Sequence, residues 1–260
     1  MGKELKGGEM MAIVRHAMFP YFQKYIKLLP AAYTDHTLLA DPFLLEEDRE
    51  RHLKIYYTPF EYVNPAAKII IAGITPGLHQ MKRAYSTAME TSGTYEEVLR
   101  TVKRESSFHG TMRKNLVAMM DELKIADHLG IETCSQLFST YHHLLHSTSI
   151  LPHAVFYKGR NYNGSTPKIM KTPLLRKYAE NYFPGNVEGI QETLIVPLGV
   201  NVQAVLGELI EKGLIPKHRL LRGFPHPSGG NGHRIRQFEE HKEQMMEEIR
   251  EFFSSIPIKR

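Results

Sequence analysis

Four short apolar runs divide the chain, and each is bounded by glycine, proline or small polar residues. The first, Lys68–Ala72 (KIIIA), lies between Pro65 and Gly73 and carries three consecutive isoleucines. A continuous β-branched run of this length is typical of a strand buried on both faces. The other predicted strands are Tyr141–Leu151, Thr193–Val196 and Arg219–Arg222.

Between these runs, apolar residues recur at i, i+3 and i+4, which predicts amphipathic helices. Residues 78–130 are predicted to be mostly helical, and the clearest helix follows Ser107 and ends at Gly130. Its apolar face consists of Met112, Leu116, Met119, Met120 and Leu123. Further helices are predicted from Pro173 to about Asn181, from Asn201 to Gly213, and from about His233 to Phe253.

The alternation of strand and helix predicts a parallel sheet with helices on both faces. We therefore expect one three-layer α/β/α domain over residues 1–260, built on a central four-stranded parallel sheet. Prolines interrupt the pattern before the first strand. Residues 1–65 are interpreted as an irregular, partly helical N-terminal arm packed on the core.

Composition narrows the class of protein. Hydrophobic residues make up 42% and charged residues 23%, and no apolar run reaches the roughly 20 residues of a membrane span. The N-terminal sequence has no apolar core of a signal peptide. Cys134 is the single cysteine, so internal disulfides, four-cysteine zinc sites and iron–sulfur clusters are excluded, and we expect a reducing compartment, the cytoplasm or a nucleus. The net charge of +5 permits a nucleic-acid partner.

Two loops carry the candidate chemistry. GITPG (Gly73–Gly77) follows the first strand, and its glycines allow a ligand to approach the backbone closely. The fourth strand leads into HPSGGNGHR (His226–Arg234), which crowds polar and titratable groups into a turn. Both loops follow the carboxyl ends of parallel strands, where open α/β sheets bind ligands.

As an ordered pair, these loops resemble the two motifs of the uracil-DNA glycosylase superfamily, G-x-x-P-G/Y and H-P-S, which flank a pocket for a flipped-out base. The resemblance covers about residues 66–240, including LIVPLGVNVQAVL before the second motif. The second motif is nearest to the single-strand-selective monofunctional branch, and the first resembles the GINPG loop of the mismatch-specific branch. The resemblance implies a monofunctional DNA glycosylase that removes a damaged or deaminated base in base excision repair.

The resemblance also implies roles for individual residues. His226 would donate to the departing base, and Ser228 would bind a phosphate beside Pro227. Gly229, Gly230, Asn231, His233 and Arg234 would enter the duplex where the base was extruded. The base pocket would consist of Gly73, Ile74, Pro76 and Gly77, with Tyr85 as the stacking ring and Ser147 and Thr148 at the end of the second strand. No metal, organic cofactor or lysine nucleophile is implied, and the expected partner of a monomeric protein is single- or double-stranded DNA.

Thr75 departs from the family pattern, because this position carries Asp, Asn or Glu to orient the attacking water. A hydroxyl holds a water but is no general base at neutral pH. We therefore expect slow hydrolysis, a substitute group such as His79, or a binding module without catalysis. A different N-glycosidic substrate, such as a free nucleoside, also stays open. There is no asparagine between Asn115 and Asn161 to read uracil in the way the family does.

Two further segments have alternative interpretations. Residues 154–171 interleave aromatics with cations, including Lys158 and Arg160, in a pattern that suits phosphate contact and base stacking or simply a solvated loop. His142, His143 and His146 include an i, i+4 pair that could bind metal on a helix. The apolar context favours a strand there, so we expect no metal site.

Overall fold

The structure, a computed structural model, describes residues 12–30, 32–216 and 218–255. Its strands are β1 (Leu44–Asp48), β2 (Leu53–Tyr56), β3 (Ile69–Gly73), β4 (Leu145–Ser149), β5 (Ala154–Tyr157), β6 (Arg160–Asn161), β7 (Leu194–Pro197) and β8 (Arg219–Leu220). Its α-helices are α1 (Phe19–Lys27), α2 (Asp35–Leu38), α3 (Leu78–Glu90), α4 (Tyr95–Ser106), α5 (Thr111–Glu122), α6 (Ile125–Leu129), α7 (Pro173–Asn181), α8 (Val200–Glu211) and α9 (Arg234–Ser255).

The four predicted strands form one parallel sheet in the order β4-β3-β7-β8. Ile69 pairs with Leu145 on one side and with Leu194 on the other. The predicted four-stranded parallel sheet is therefore confirmed, although β4 and β8 are shorter than expected. A 3₁₀-helix, His142–Leu144, precedes β4 and shortens it at its start.

Helices cover both faces of this sheet, as predicted. Ile70 and Ala72 of β3 pack in one core with α7 and α8, whereas Ile69 and Ile71 pack in a second core with α5, α6 and α9. The alternation follows from the period of two along a strand. Because both faces are covered, all five residues of β3 are buried.

A second, antiparallel sheet in the order β1-β2-β5-β6 was not predicted. It places a hairpin inside the segment interpreted as an irregular arm, and it orders part of the segment interpreted as a loop. All five residues of β1 are half-buried, so it lacks the alternation that marks a strand. The β5–β6 turn is formed by Lys158 and Gly159, whose φ values of 50° and 73° suit a two-residue hairpin.

A third core lies between this sheet and helices α1, α3 and α4. Buried Glu61 holds the start of α1, because its carboxylate accepts from the backbone N–H groups of Met18 at 2.8 Å and Phe19 at 3.0 Å. Buried Lys103 of α4 donates to the carbonyls of Phe60 and Tyr62 at 3.1 and 2.6 Å. These contacts fix the segment that runs into β3.

The segment after β6 forms a strap over the GITPG loop. Asn161 accepts from the N–H of Leu78 at 3.0 Å, which holds the start of α3. Gly164 lies so close to Ile74 that a Cβ added there would be 2.5 Å from Cδ1 of that isoleucine. Further along, Ser165 lies 3.4 Å from the Asn201 amide of α8. The strap thus joins the loops that follow β3 and β7.

We expect Gly164→Ala to destabilise the protein by about 1–3 kcal/mol more than Gly159→Ala. Both glycines have positive φ, 81° and 73°, so both substitutions impose backbone strain. Only at Gly164 would the new methyl meet a neighbour, since nothing lies within 4 Å of the corresponding position at Gly159. Chemical denaturation of the two variants measures the difference. Equal losses of stability would show that the Ile74 side chain moves away from the new methyl group without an energetic cost.

Candidate functional site at the carboxyl edge of the parallel sheet

The loops that follow β3 and β7 meet at one edge of the parallel sheet. The chain leaves β3 for β4 on one side and returns to β7 on the other, which makes the β3–β7 boundary the switch point where such sheets bind ligands. Leu198 donates its N–H to the carbonyl of Ala72 at 2.9 Å, and Gly199 donates to Phe224 at 3.1 Å. The GITPG loop and the His226 loop therefore flank the same boundary.

A narrow cleft opens beside this boundary, above the ends of β3 and β4. It is lined by Phe60, Pro76, Gln80, Ser107, Phe108, Ser147, Thr148, Ser149 and Pro152. Three of the predicted base-pocket residues, Pro76, Ser147 and Thr148, are among them. Its free volume of about 20 Å³ holds one water-sized occupant. The lining side chains are neutral, and they combine hydroxyls and one amide with two aromatic rings.

Phe108 forms an aromatic wall of the cleft that the sequence did not indicate. Its Cε1 lies 3.3 Å from the position of a Cβ at Gly73, so the ring covers the end of β3. The backbone of Phe108 has a φ of 53°, which is strained for an aromatic residue and costs about 1–3 kcal/mol. Such strain concentrates at functional sites. In the sequence, the feature that could have indicated Phe108 is the break in helical periodicity between α4 and α5.

Tyr85 does not line the cleft, contrary to its proposed place in the pocket. It is fully buried on the inner face of α3, where its hydroxyl donates to the Tyr57 carbonyl at 2.8 Å. Its ring centroid lies 4.9 Å from that of Phe43, in the third core. Two helical turns separate Tyr85 from the loop, which directs it toward the second sheet. The aromatic rings at the cleft are those of Phe60 and Phe108.

Thr75 ties the GITPG loop to the second sheet. Its hydroxyl donates to the carbonyl of His153 at 2.7 Å and accepts from the N–H of Val155 at 3.1 Å. A hydroxyl has one proton, so the donor of Thr75 is already used within the protein. Neither Ile74, which is buried under the strap, nor Gly77 is among the residues that line the cleft.

His226 is half-buried beside the turn after β7. Its Nδ1 accepts from the N–H of Ser228 at 3.3 Å, which leaves the proton of a neutral ring on Nε2. Burial lowers the pKa of His226, so the neutral form is favoured. A Cβ at Gly199 would lie 3.2 Å from Cβ of His226, which shows how closely the turn supports the histidine.

The rest of the HPSGGN loop is held by its own side chains. The amide nitrogen of Asn231 donates to the carbonyl of His226 at 3.2 Å, and Arg234 donates to that of Ser228 at 2.9 Å. Asn115 of α5 donates to the carbonyl of buried Pro227 at 2.8 Å. Gly229, Gly230 and His233 are exposed. Asn231 and Arg234 thus shape a loop whose exposed surface combines the glycine backbone with the His233 side chain.

The cations predicted to contact DNA lie apart from the cleft. Lys158 lies in the β5–β6 turn and Arg160 begins β6, and Lys158 Nζ lies 5.2 Å from the centroid of the Tyr157 ring. Neither residue lines the cleft. His79, the substitute considered for the water-orienting group, is exposed and lies with its ring centroid 5.8 Å from that of His109. The neighbouring Gln80 lines the cleft instead.

Within residues 12–30, 32–216 and 218–255, no group of three His, Cys, Asp or Glu side chains is arranged to hold a metal ion. His146 is buried in β4, whereas His142 and His143 lie in the preceding 3₁₀-helix. In the same part of the chain, no helix combines the length and apolar character needed to cross a membrane.

No protein-family model matches the chain. The uncharacterized protein YoxB of Bacillus subtilis (strain 168) is 39% identical to it over 249 residues, which are 94% of this chain and 96% of YoxB. The chain belongs to the YoxB family. It is also similar to the crystal structure of wild-type SMUG2 from Pedobacter heparinus, with 15% identity over 91% of this chain and 98% of that chain and a TM-score of 0.42. Since a likeness this low establishes no shared activity, the function rests on the residues of the site.

Two buried histidines next to the site predict how stability depends on pH. Burial lowers the pKa of His153 to about 3 and that of His146 well below its usual value of 6.5. Below pH 6.5 these histidines take up protons in the unfolded chain but, until their lowered pKa values are reached, not in the folded one. The free energy of unfolding therefore decreases as the pH falls through this range. We expect His153→Asn to reduce the slope by up to about 1.4 kcal/mol per pH unit. Urea unfolding between about pH 4 and 6.5 measures it.

Asparagine at position 153 offers an acceptor for the Thr58 N–H, which now lies 3.3 Å from His153 Nδ1. Exposed His143 provides the matched control, and His143→Asn is expected to leave the slope unchanged. If the free energy of unfolding of His153→Asn fell with pH as steeply as that of the parent protein, buried His153 would not be a source of the pH dependence.

Proposed function

We propose that the protein hydrolyses the N-glycosidic bond of a damaged or deaminated base turned out of DNA. The observation that carries this proposal is the fixed, neutral His226 ring beside the boundary of β3 and β7. Cleavage of the bond leaves negative charge on the departing base, and a positioned donor near its carbonyl oxygen stabilises the transition state. The Nε2–H of His226 would supply such a donor, and the hydrogen bond from Ser228 to Nδ1 restrains the ring.

The cleft above β3 and β4, which His226 does not line, supports a base as the bound group. Phe60 and Phe108 offer faces for stacking, and the hydroxyls and the amide offer hydrogen bonds without a net charge. A nucleobase is planar, neutral and polar at its edges, and base-acting enzymes hold it between rings and hydrogen-bonding groups. Displacement of the Phe108 ring, which rests in a strained backbone, would enlarge the cleft.

The exposed rim supports a nucleic-acid partner. Gly229 and Gly230 present backbone beside the Ser228 hydroxyl, an arrangement that suits a phosphate contact. The net charge of +5 favours approach to a polyanion. His233 adds an exposed side chain to this surface.

A second candidate is a base- or nucleic-acid-binding module that has lost catalysis. The engagement of Thr75 with His153 and Val155 favours it, because this hydroxyl has no proton left to orient a water. None of the nine residues that line the cleft carries a carboxylate for general-base catalysis. In this alternative, His226 and the cleft contribute binding alone.

Single-turnover assays on oligonucleotides distinguish the two candidates. Single- and double-stranded substrates carrying uracil, hypoxanthine, xanthine or hydroxymethyluracil are incubated with the protein, and abasic sites are quantified. We expect product from at least one base, and a rate about 10²–10³-fold lower in His226→Ala, because the loss of one transition-state donor has this effect.

His36→Ala, in exposed α2, controls for the loss of a histidine elsewhere. DNA binding without product from any base would overturn the glycosylase and favour the binding module. Full activity in His226→Ala would show that this histidine takes no part in the reaction.

Substitution of Thr75 tests whether this position can orient the attacking water. We expect Thr75→Asn to raise hydrolysis at least about tenfold, since a side-chain amide can both bridge to the backbone and hold a water. Thr75→Val, which keeps the shape without the hydroxyl, is the matched control and is expected to lower stability without raising activity. The same oligonucleotide assay, paired with urea unfolding, gives both readouts. If Thr75→Asn left an active protein unchanged, another residue would position the water.

A further inference from the structure

Gln80 is a cleft residue whose orientation is set by the backbone. It is the third residue of α3, and its Oε1 accepts from the N–H of Gly77 at 3.3 Å. Because a backbone N–H only donates, the atom that faces it must be the amide oxygen. Among the residues that the structure describes, the amide nitrogen has no hydrogen-bond partner, and the side chain lines the cleft.

The other polar side chains of the cleft are hydroxyls that adapt to their partners. Ser147 donates to Ser107 at 2.7 Å, which leaves the Ser107 proton available to the cleft. Thr148 and Ser149 can each donate or accept. The amide oxygen of Gln80 is already bonded to Gly77, so the remaining end of this side chain is a donor, its NH₂. Ser147, whose proton goes to Ser107, can only accept.

We propose that Gln80 selects the base by donating from Nε2 to the carbonyl at C4 of a pyrimidine or C6 of a purine, so that the cleft takes bases with oxygen at this position, such as uracil, hypoxanthine and xanthine (called oxo-bases below). Cytosine and adenine present an exocyclic amino group where these bases present oxygen. Two donors facing each other leave both unpaired, which costs a factor of about 10–100 in binding. This inference rests on the proposed function, since it assumes that the cleft holds a base.

Gln80→Glu isolates the donor. It keeps an oxygen for the Gly77 N–H, and Glu is a favoured residue at this third helical position, so the fold is expected to persist. Only the NH₂ is replaced, by an oxygen that accepts. Gln244→Glu in α9 makes the same change of net charge on an exposed residue and controls for weaker attraction to DNA.

Two measurements separate this inference from the proposed function. Calorimetric titration with free uracil, hypoxanthine, cytosine and adenine tests recognition without any reaction, and single-turnover abasic-site formation tests catalysis. For the parent protein we expect about tenfold or stronger preference for the oxo-bases. In Gln80→Glu we expect this preference to disappear or reverse, and excision of the oxo-bases to fall at least tenfold, while Gln244→Glu matches the parent.

The outcomes fall into three groups. A preference for oxo-bases that is lost in Gln80→Glu, with no abasic product from either protein, would support Gln80 as the selecting residue and overturn the glycosylase. An unchanged preference in Gln80→Glu, with melting temperature preserved, would overturn the role of Gln80 and leave the glycosylase standing. A parent protein that binds no free base, or binds oxo- and amino-bases equally, would also overturn the inference.

Discussion

The arrangement of β3 between two parallel neighbours is the constraint on which the site depends. This strand bonds to β4 and β7 along both edges and buries both faces, so its end at Gly73 is fixed in all directions. The loops after β3, β4 and β7 therefore leave the sheet from one rigid edge. Groups mounted on such an edge keep their geometry better than groups carried by long loops, because the sheet restrains where each loop begins.

The second sheet explains why a threonine fits at position 75 and an ionised carboxylate would not. Residue 75 faces both the carbonyl of His153 and the N–H of Val155, and its hydroxyl satisfies one as donor and the other as acceptor. An ionised aspartate has only acceptors, so it would leave the His153 carbonyl facing a negative charge. The local packing thus selects a group that both donates and accepts. Threonine meets this requirement at the cost of any general-base chemistry.

The sequence predicted the features that depend on local pattern. The isoleucines of β3 and the apolar run of β7 reveal buried strands, and the Pro/Gly-rich loops after strands reveal the edge of the sheet. The second sheet escaped prediction because β1 is half-buried along its length and β6 has only two residues, so neither shows alternation. Phe108 and Gln80 escaped because their place at the cleft depends on how α3, α4 and α5 pack. Tyr85 was predicted at the pocket from its spacing after the GITPG loop, but this spacing does not show which face of the helix points to the pocket.

Gly199 illustrates how a residue without a side chain acts on the chemistry of another. Its φ of 93° and its close approach to His226 mean that any side chain at this position would press on the loop that carries the histidine. The resulting displacement would move the imidazole relative to the base that we propose it contacts. In a scan of all substitutions scored by function, position 199 would therefore show the intolerance of a catalytic residue although it contributes no reactive atom. The residues on which the proposed site depends therefore include the turn at Gly199, in addition to the side chains proposed to contact the base.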